Sequence, residues 1–250
     1  MSNAPLGLII PNWPAPSWVR AGSTTRSGGI SNGVFASLNL GDHVGDNPAL
    51  VAENRALLQK LANLPAEPAW LQQVHGTDVL QLSTWQGHVV AADASTSQQA
   101  GQVCLVMTAD CLPALFCCTK SKQVAAAHAG WRGLCDGILE NTLAHFPDPS
   151  TVLVWLGPCI GPSAFEVGEE VRQQFLTHDA AATSAFAPSA NPGKWLANLP
   201  MLAKQRLVAA GAASIYGGDR CTFSESEHFF SYRRDGQTGR MASFIYIQAE

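Results

Sequence analysis

Apolar residues follow two rhythms along this chain. Over residues 46–63 they fall at Val51, Leu57, Leu58 and Leu61, which is the stripe of an amphipathic helix. Asp46 or Asn47 can cap that helix, and Pro48 suits its first turn. Short apolar runs bounded by turn residues follow, at 79–82, 103–108, 114–118, 124–127 and 152–156. Runs of that length predict buried strands. Between the last two, Leu134, Ile138, Leu139, Leu143 and Phe146 predict a helix over 134–146. Residues 167–176 predict another, with Glu169 and Glu170 in its first turn where they complement the dipole. A third is expected over 196–210, ended by Gly211. Two late strands are expected near 229–232 and 242–247.

The intervening segments are turn-rich. The start, with Pro5, Pro11, Pro14 and Pro16, predicts an extended lead-in. Residues 23–39 predict turns between short strands, and 184–193 a linker or mobile loop. Strands and helices mix without strict alternation, so the expected class is α+β rather than a doubly wound sheet. No linker is strong enough to divide residues 1–250, and one domain is expected.

Composition narrows the function classes. Of 250 residues, 46% are hydrophobic and 14% charged, enough apolar surface for a sizeable core. The net charge of −4 and the lack of a basic block argue against a nucleic-acid partner. No apolar run approaches the roughly 20 residues that span a bilayer. The stretch from Leu6 to Ile10 stops at Pro11 with no basic residue before it, so a secretory signal is not expected. Seven cysteines without C-x-x-C spacing suggest a reducing cytoplasm, with thiols that are packed or chemical.

Three segments place polar residues directly after apolar runs. They are Gln72-Gln73-Val74-His75-Gly76, Thr108-Ala109-Asp110-Cys111-Leu112-Pro113 and Ala127-His128-Ala129-Gly130-Trp131-Arg132-Gly133. Strand ends are where sites are built on rigid scaffolds. Each segment supplies one metal-ligand type: His75, Cys111 and His128. Two His and one Cys, with water at the fourth position, make the composition of an open catalytic zinc site. They are too widely spaced for any local zinc-finger pattern, and buried Cys and His packed for structure alone have the same composition. Asp110 is a candidate to orient a ligand imidazole, and Gly76, Gly130 and Gly133 are candidates for tight turns beside the histidines. The glycine-flanked Arg132 opens the 134 helix, either as an anion site or as a tight strand-to-helix turn. Arg26 and the Arg233–Arg234 pair lie in other turns. Glu166 is expected near a helix start, with a catalytic carboxylate as the alternative.

These segments resemble the bacterial YfiH/laccase-domain family, also called multicopper polyphenol oxidoreductases or laccase-domain purine nucleoside phosphorylases. Further matching stretches are Ser37-Leu38-Asn39-Leu40-Gly41, Trp155-Leu156-Gly157-Pro158-Cys159-Ile160-Gly161-Pro162, Phe165-Glu166-Val167-Gly168 and Phe229-Phe230-Ser231-Tyr232-Arg233-Arg234-Asp235. They follow family order from about residue 20 onward. Asn198 departs from the pattern, because many relatives are expected to carry Asp there.

The resemblance implies a single α+β domain of stacked α/β/β/α layers with mixed sheets. It implies a metal, normally zinc with copper as the alternative, on His75, Cys111 and His128, which would be both ligands and catalytic groups. It implies phosphorolysis of adenosine, inosine, guanosine and methylthioadenosine, and deamination of adenosine. The substrates would be purine nucleosides and phosphate, with Arg26, Arg132 and Arg233 as phosphate-binding candidates. Three other readings stand beside this one: a copper phenol oxidase, a Cys–His hydrolase, and a role in editing peptidoglycan precursors. An ordinary multicopper oxidase is excluded, because its trinuclear cluster uses His-x-His pairs and this chain has none.

Overall fold

The strands Val103–Thr108, Leu112–Cys118, Val124–Ala129, Val152–Leu156 and Met241–Ile247 are buried along their whole length. A strand achieves that only when both of its faces are covered. That requirement gives the architecture. The computed structural model describes residues 7–249, so Pro5 and Leu6 lie outside the described residues. In chain order the strands are β1 (Leu8–Ile9), β2 (Val19–Thr24), β3 (Val79–Gln81), β4 (Ala94–Ser97), β5 (Val103–Thr108), β6 (Leu112–Cys118), β7 (Val124–Ala129), β8 (Val152–Leu156), β9 (Glu166–Gly168), β10 (Phe186–Pro188), β11 (Lys194–Ala197), β12 (Ser214–Gly217) and β13 (Met241–Ile247). The helices are α1 (Pro48–Leu61), α2 (Trp131–Asp136), α3 (Ile138–Leu143), α4 (Glu169–His178), α5 (Leu199–Ala209) and α6 (Tyr232–Asp235).

One sheet has the order β1-β2-β13-β5 and is antiparallel. Apart from a small antiparallel sheet of order β10-β11-β9, the other has the order β12-β8-β6-β7-β4-β3 and is mixed, with parallel pairs at its two edges. They pack face to face. Cys104, Val106, Ile245 and Ile247 of the first meet Leu115, Cys117, Val124 and Ala126 of the second. The alternate residues of the same strands point outward. Val103, Leu105, Met107 and Phe244 pack with Leu58 of α1. Ala114, Phe116, Ala125 and Ala127 pack with Leu134, Ile138, Phe175, Leu202 and Leu207 of α2 to α5. The expected α/β/β/α stack is therefore present. Burying one side chain such as Phe116, which stacks on Phe146, is worth about 1.5–3 kcal/mol.

Several expectations need correction. The helix over 134–146 is two helices, because Gly137 at φ 106° ends α2 in a left-handed turn. In α1 the buried face is Val51, Asn54 and Leu58, and Leu61 is exposed. Asn54 belongs inside because its amide bonds Ser31, Ser37, Asn39 and Ile30. Residues 184–193 are not a linker. They end a 3₁₀ turn with buried Ala185 and enter the β10–β11 hairpin. The helix over 167–176 begins later, after β9, and that over 196–210 begins after β11. Residues 229–232 form no strand. Phe229 and Phe230 are wholly buried, but Ser231 caps the short α6 by accepting from the Arg234 amide.

Candidate metal centre

The β5–β6 connection crosses from one sheet to the other in three residues, and Cys111 sits at that corner. Asp110 takes the turn at φ 87°. On β7, the partner of β6, His128 lies opposite Pro113, which brings it to the same end of the strand pair as Cys111. His75 comes from the loop before β3, where it adopts φ 60°. The Gln73 side chain pins that loop to β5, donating to the Met107 carbonyl (2.8 Å) and accepting from its amide (2.7 Å). The three expected ligands are thus brought together, their donor atoms all within 4.8 Å of one another. Cys111 Sγ is 3.7 Å from His75 Nε2, and the two imidazoles meet edge to face at 4.8 Å. His128 is buried, Cys111 half-buried and His75 exposed, so the set opens to one side.

Asp93, just before β4, organises the set. Its Oδ1 accepts from the His75 amide (3.0 Å) and lies 2.8 Å from His128 Nδ1. Its Oδ2 accepts from the amides of Val74 (3.1 Å) and Gly76 (2.7 Å). One carboxylate therefore shapes the His75 loop and orients the His128 ring, leaving Nε2 toward Cys111. Burial would raise the Asp93 carboxyl, but His128 and the loop amides outweigh it and hold it below its ordinary value. Likewise burial opposes ionisation of the Cys111 thiol, yet His128 and His75 bring it below the usual thiol range. His128 is raised in turn, because the Cys111 and Asp93 charges outweigh its burial. A low thiol and two imidazoles are a donor set suited to a soft or borderline metal.

The glycines here provide close approach rather than turns. A Cβ at Gly130 would lie 2.5 Å from His75 Cδ2 and 3.1 Å from Cys111 Sγ. One at Gly133 would lie 2.9 Å from the Gly76 carbonyl. Helix α2 can therefore sit against the ligand loop only with glycine at both positions.

Asp110 does not orient an imidazole. It accepts from Thr222 Oγ1 (2.6 Å) and from the Arg233 amide (2.7 Å), fastening the 220–235 segment beside Cys111. Arg26 packs over Phe230 and donates to the carbonyls of Ala36 (3.0 Å) and Ser226 (3.1 Å). The Arg233 guanidinium donates to the Glu166 carbonyl (2.9 Å). Arg132 is exposed in the first turn of α2 and has no hydrogen bond or ion pair among the described residues. Glu166 lies in β9, where Ser189 and Asn191 of the β10–β11 hairpin bond its carboxylate. Asn198 caps α5 by accepting from the Met201 amide (3.0 Å).

Two residues with parts in the site carried no clear sequence signal. Asp93 stands alone among small residues. Arg240 lies far along the chain yet within electrostatic range of Cys111. Burial lowers its guanidinium, and the Cys111 and Asp110 charges oppose that shift.

Comparison with known proteins bears on the whole chain. Residues 20–248 match the family model described as multi-copper polyphenol oxidoreductase laccase. The chain is 56% identical over 241 residues to purine nucleoside phosphorylase YfiH of Escherichia coli K12, covering 96% of this chain and 98% of the relative. A crystal structure from Neisseria meningitidis superposes with a TM-score of 0.93 at 47% identity, over 97% of this chain and 100% of that one. YlmD of Geobacillus stearothermophilus does so at 0.85 and 32% identity, over 97% of both chains.

Proposed function

The chain belongs to the multi-copper polyphenol oxidoreductase laccase family, and from that footing we propose that it is a zinc-dependent purine nucleoside phosphorylase. The reading rests on the open His75–Cys111–His128 set, in a chain that matches relatives named purine nucleoside phosphorylase along nearly its whole length. In the reaction a phosphate oxygen bonds to ribose C1′ as the bond from C1′ to the base nitrogen breaks. The bonding pair leaves with the purine, which takes up a proton. His75, Cys111 and His128 would hold the zinc, which when bound would supply a fixed positive charge to stabilise negative charge developing on the reactants.

The protein groups have distinct tasks. Asp93 fixes the His128 tautomer by accepting from Nδ1, and it holds His75 in place through the loop amides. Arg132, with its donors uncommitted, is the phosphate contact, and Arg240 adds positive potential. Arg26 and Arg233 each spend some donors on carbonyls, which holds the surrounding loops, and remain phosphate candidates through the rest of the guanidinium. Deamination of adenosine is the companion activity.

One observation favours a second reading. Cys111, His128 and Asp93 together have the composition of a Cys–His–Asp hydrolase triad. Metal content separates the two, because a thiolate bound to zinc is not free to attack.

The test is product analysis of adenosine incubated with the zinc-loaded protein, with and without phosphate. Adenine and ribose 1-phosphate formed only with phosphate are expected. Inosine formed in both tubes reports the deamination. Adenosine left intact in both tubes, with zinc confirmed bound, overturns the reading.

A further inference from the structure

We propose that Cys135, Asp136 and His178 form a second site, for a divalent cation of the zinc class, that ties the C-terminal end of α2 to that of α4. The donor atoms of these residues all lie within 4.8 Å of one another. They come from two separate elements: Cys135 and Asp136 end α2, and His178 ends α4. Cys135 is buried, whereas Asp136 and His178 are exposed. None of the three side chains makes a hydrogen bond or an ion pair among the described residues. A thiol, a carboxylate and an imidazole thus converge without satisfying one another. Zinc bonds of about 2.0–2.3 Å would span the space between them once the two exposed side chains rotate inward.

The donors select the cation. One sulfur, one nitrogen and one oxygen suit zinc and its neighbours, whereas calcium and magnesium prefer oxygen alone. The surroundings favour positive charge. The carbonyl ends of two helices meet here. Glu140 lies on the next helix, and its ion pair with Arg206 (2.5 Å) offsets the nearest cationic side chain. A cysteine ligates a metal as its thiolate. Binding therefore replaces the thiol proton with the metal and releases one proton to solvent, with no change of oxidation state.

The position gives the site a role. The N-terminal end of α2 carries Gly130 and Gly133, which pack against His75 and its loop. A cation at the other end would fix the same short helix to α4. The assignment stands apart from the one at His75, Cys111 and His128, and a single experiment distinguishes them.

Metal-free full-length protein is titrated with zinc and, separately, with cobalt. The parent, His178→Ala, Cys135→Ser and Cys111→Ala are compared. If both centres bind, the parent takes up two zinc ions per chain, and His178→Ala and Cys111→Ala take up one each. If the first centre binds none, the parent takes up one and His178→Ala none, which still supports the second site. Cobalt in Cys111→Ala is expected to give thiolate-to-metal absorption in the near ultraviolet, and adding His178→Ala to that variant should abolish it. His178 is exposed, so its removal leaves the fold intact even if Cys135→Ser does not fold. Equal zinc uptake and affinity in the parent and His178→Ala would overturn the proposal.

Discussion

Asp93 has no exposed surface and receives three loop amides and one imidazole. A buried carboxylate is tolerable only when it is paired in this way. Replacing it with alanine leaves those donors unpaired, each at a cost of about 1–3 kcal/mol if buried, and frees both histidines to move. Asp93→Ala is expected to weaken metal binding about 10–100-fold, as read by competition with a chromophoric chelator. Unchanged affinity would count against its organising role. The thiol gives a second prediction. In metal-free protein the Cys111 thiol is lowered, so its thiolate persists at pH values where an ordinary thiol is protonated. Alkylation of Cys111 by iodoacetamide should reach half its maximal rate well below the usual thiol value of about 8.5. A midpoint at or above that value would contradict the ion-pair description.

At the scale of elements, legibility followed burial. β5 and β8 were visible as apolar runs, since a strand covered on both faces has to be apolar throughout. β4 was not visible. Its Ala-Ser-Thr-Ser sequence is polar, yet all four residues are buried, in part because Thr96 donates to the Val124 carbonyl and accepts from Gln123. Asp93 stands at the head of that strand, so the residue that arranges the site was hidden along with it. The break at Gly137 is hidden in the sequence for a different reason. The apolar positions on either side keep helical spacing across it, and only its positive φ breaks the helix. Gly137→Ala forces a side chain into that left-handed turn and should cost about 1–2 kcal/mol. Urea denaturation would measure it, and a neutral result would show that the α2–α3 break relaxes.

At the scale of the whole molecule, the site exists because two sheets share a corner. β5 belongs to one sheet and β6 to the other, and Cys111 lies in the turn between them. His128 follows from the register of β6 with β7, and His75 from a loop tied to β5 by Gln73. The three candidate ligands are legible one by one, as polar residues after apolar runs and through the family resemblance. Their convergence is not, because it depends on sheet order. The arginines divide on the same grounds. All of them look alike in sequence, but Arg26 and Arg233 each spend part of the guanidinium on carbonyls, whereas exposed Arg132 stacks on Trp131 with no hydrogen bond among the described residues. No helix among the described residues is long and apolar enough to cross a membrane.

The most direct measurement is phosphate-dependent release of adenine from adenosine, followed together with zinc content in the parent and in Cys111→Ala. The parent is expected to release adenine, chelation to stop the release and added zinc to restore it. Cys111→Ala, folded by circular dichroism, is expected to show no turnover and to lack the zinc assigned to the His75–Cys111–His128 set. Full adenine release by Cys111→Ala would contradict the assignment of this centre to the reaction.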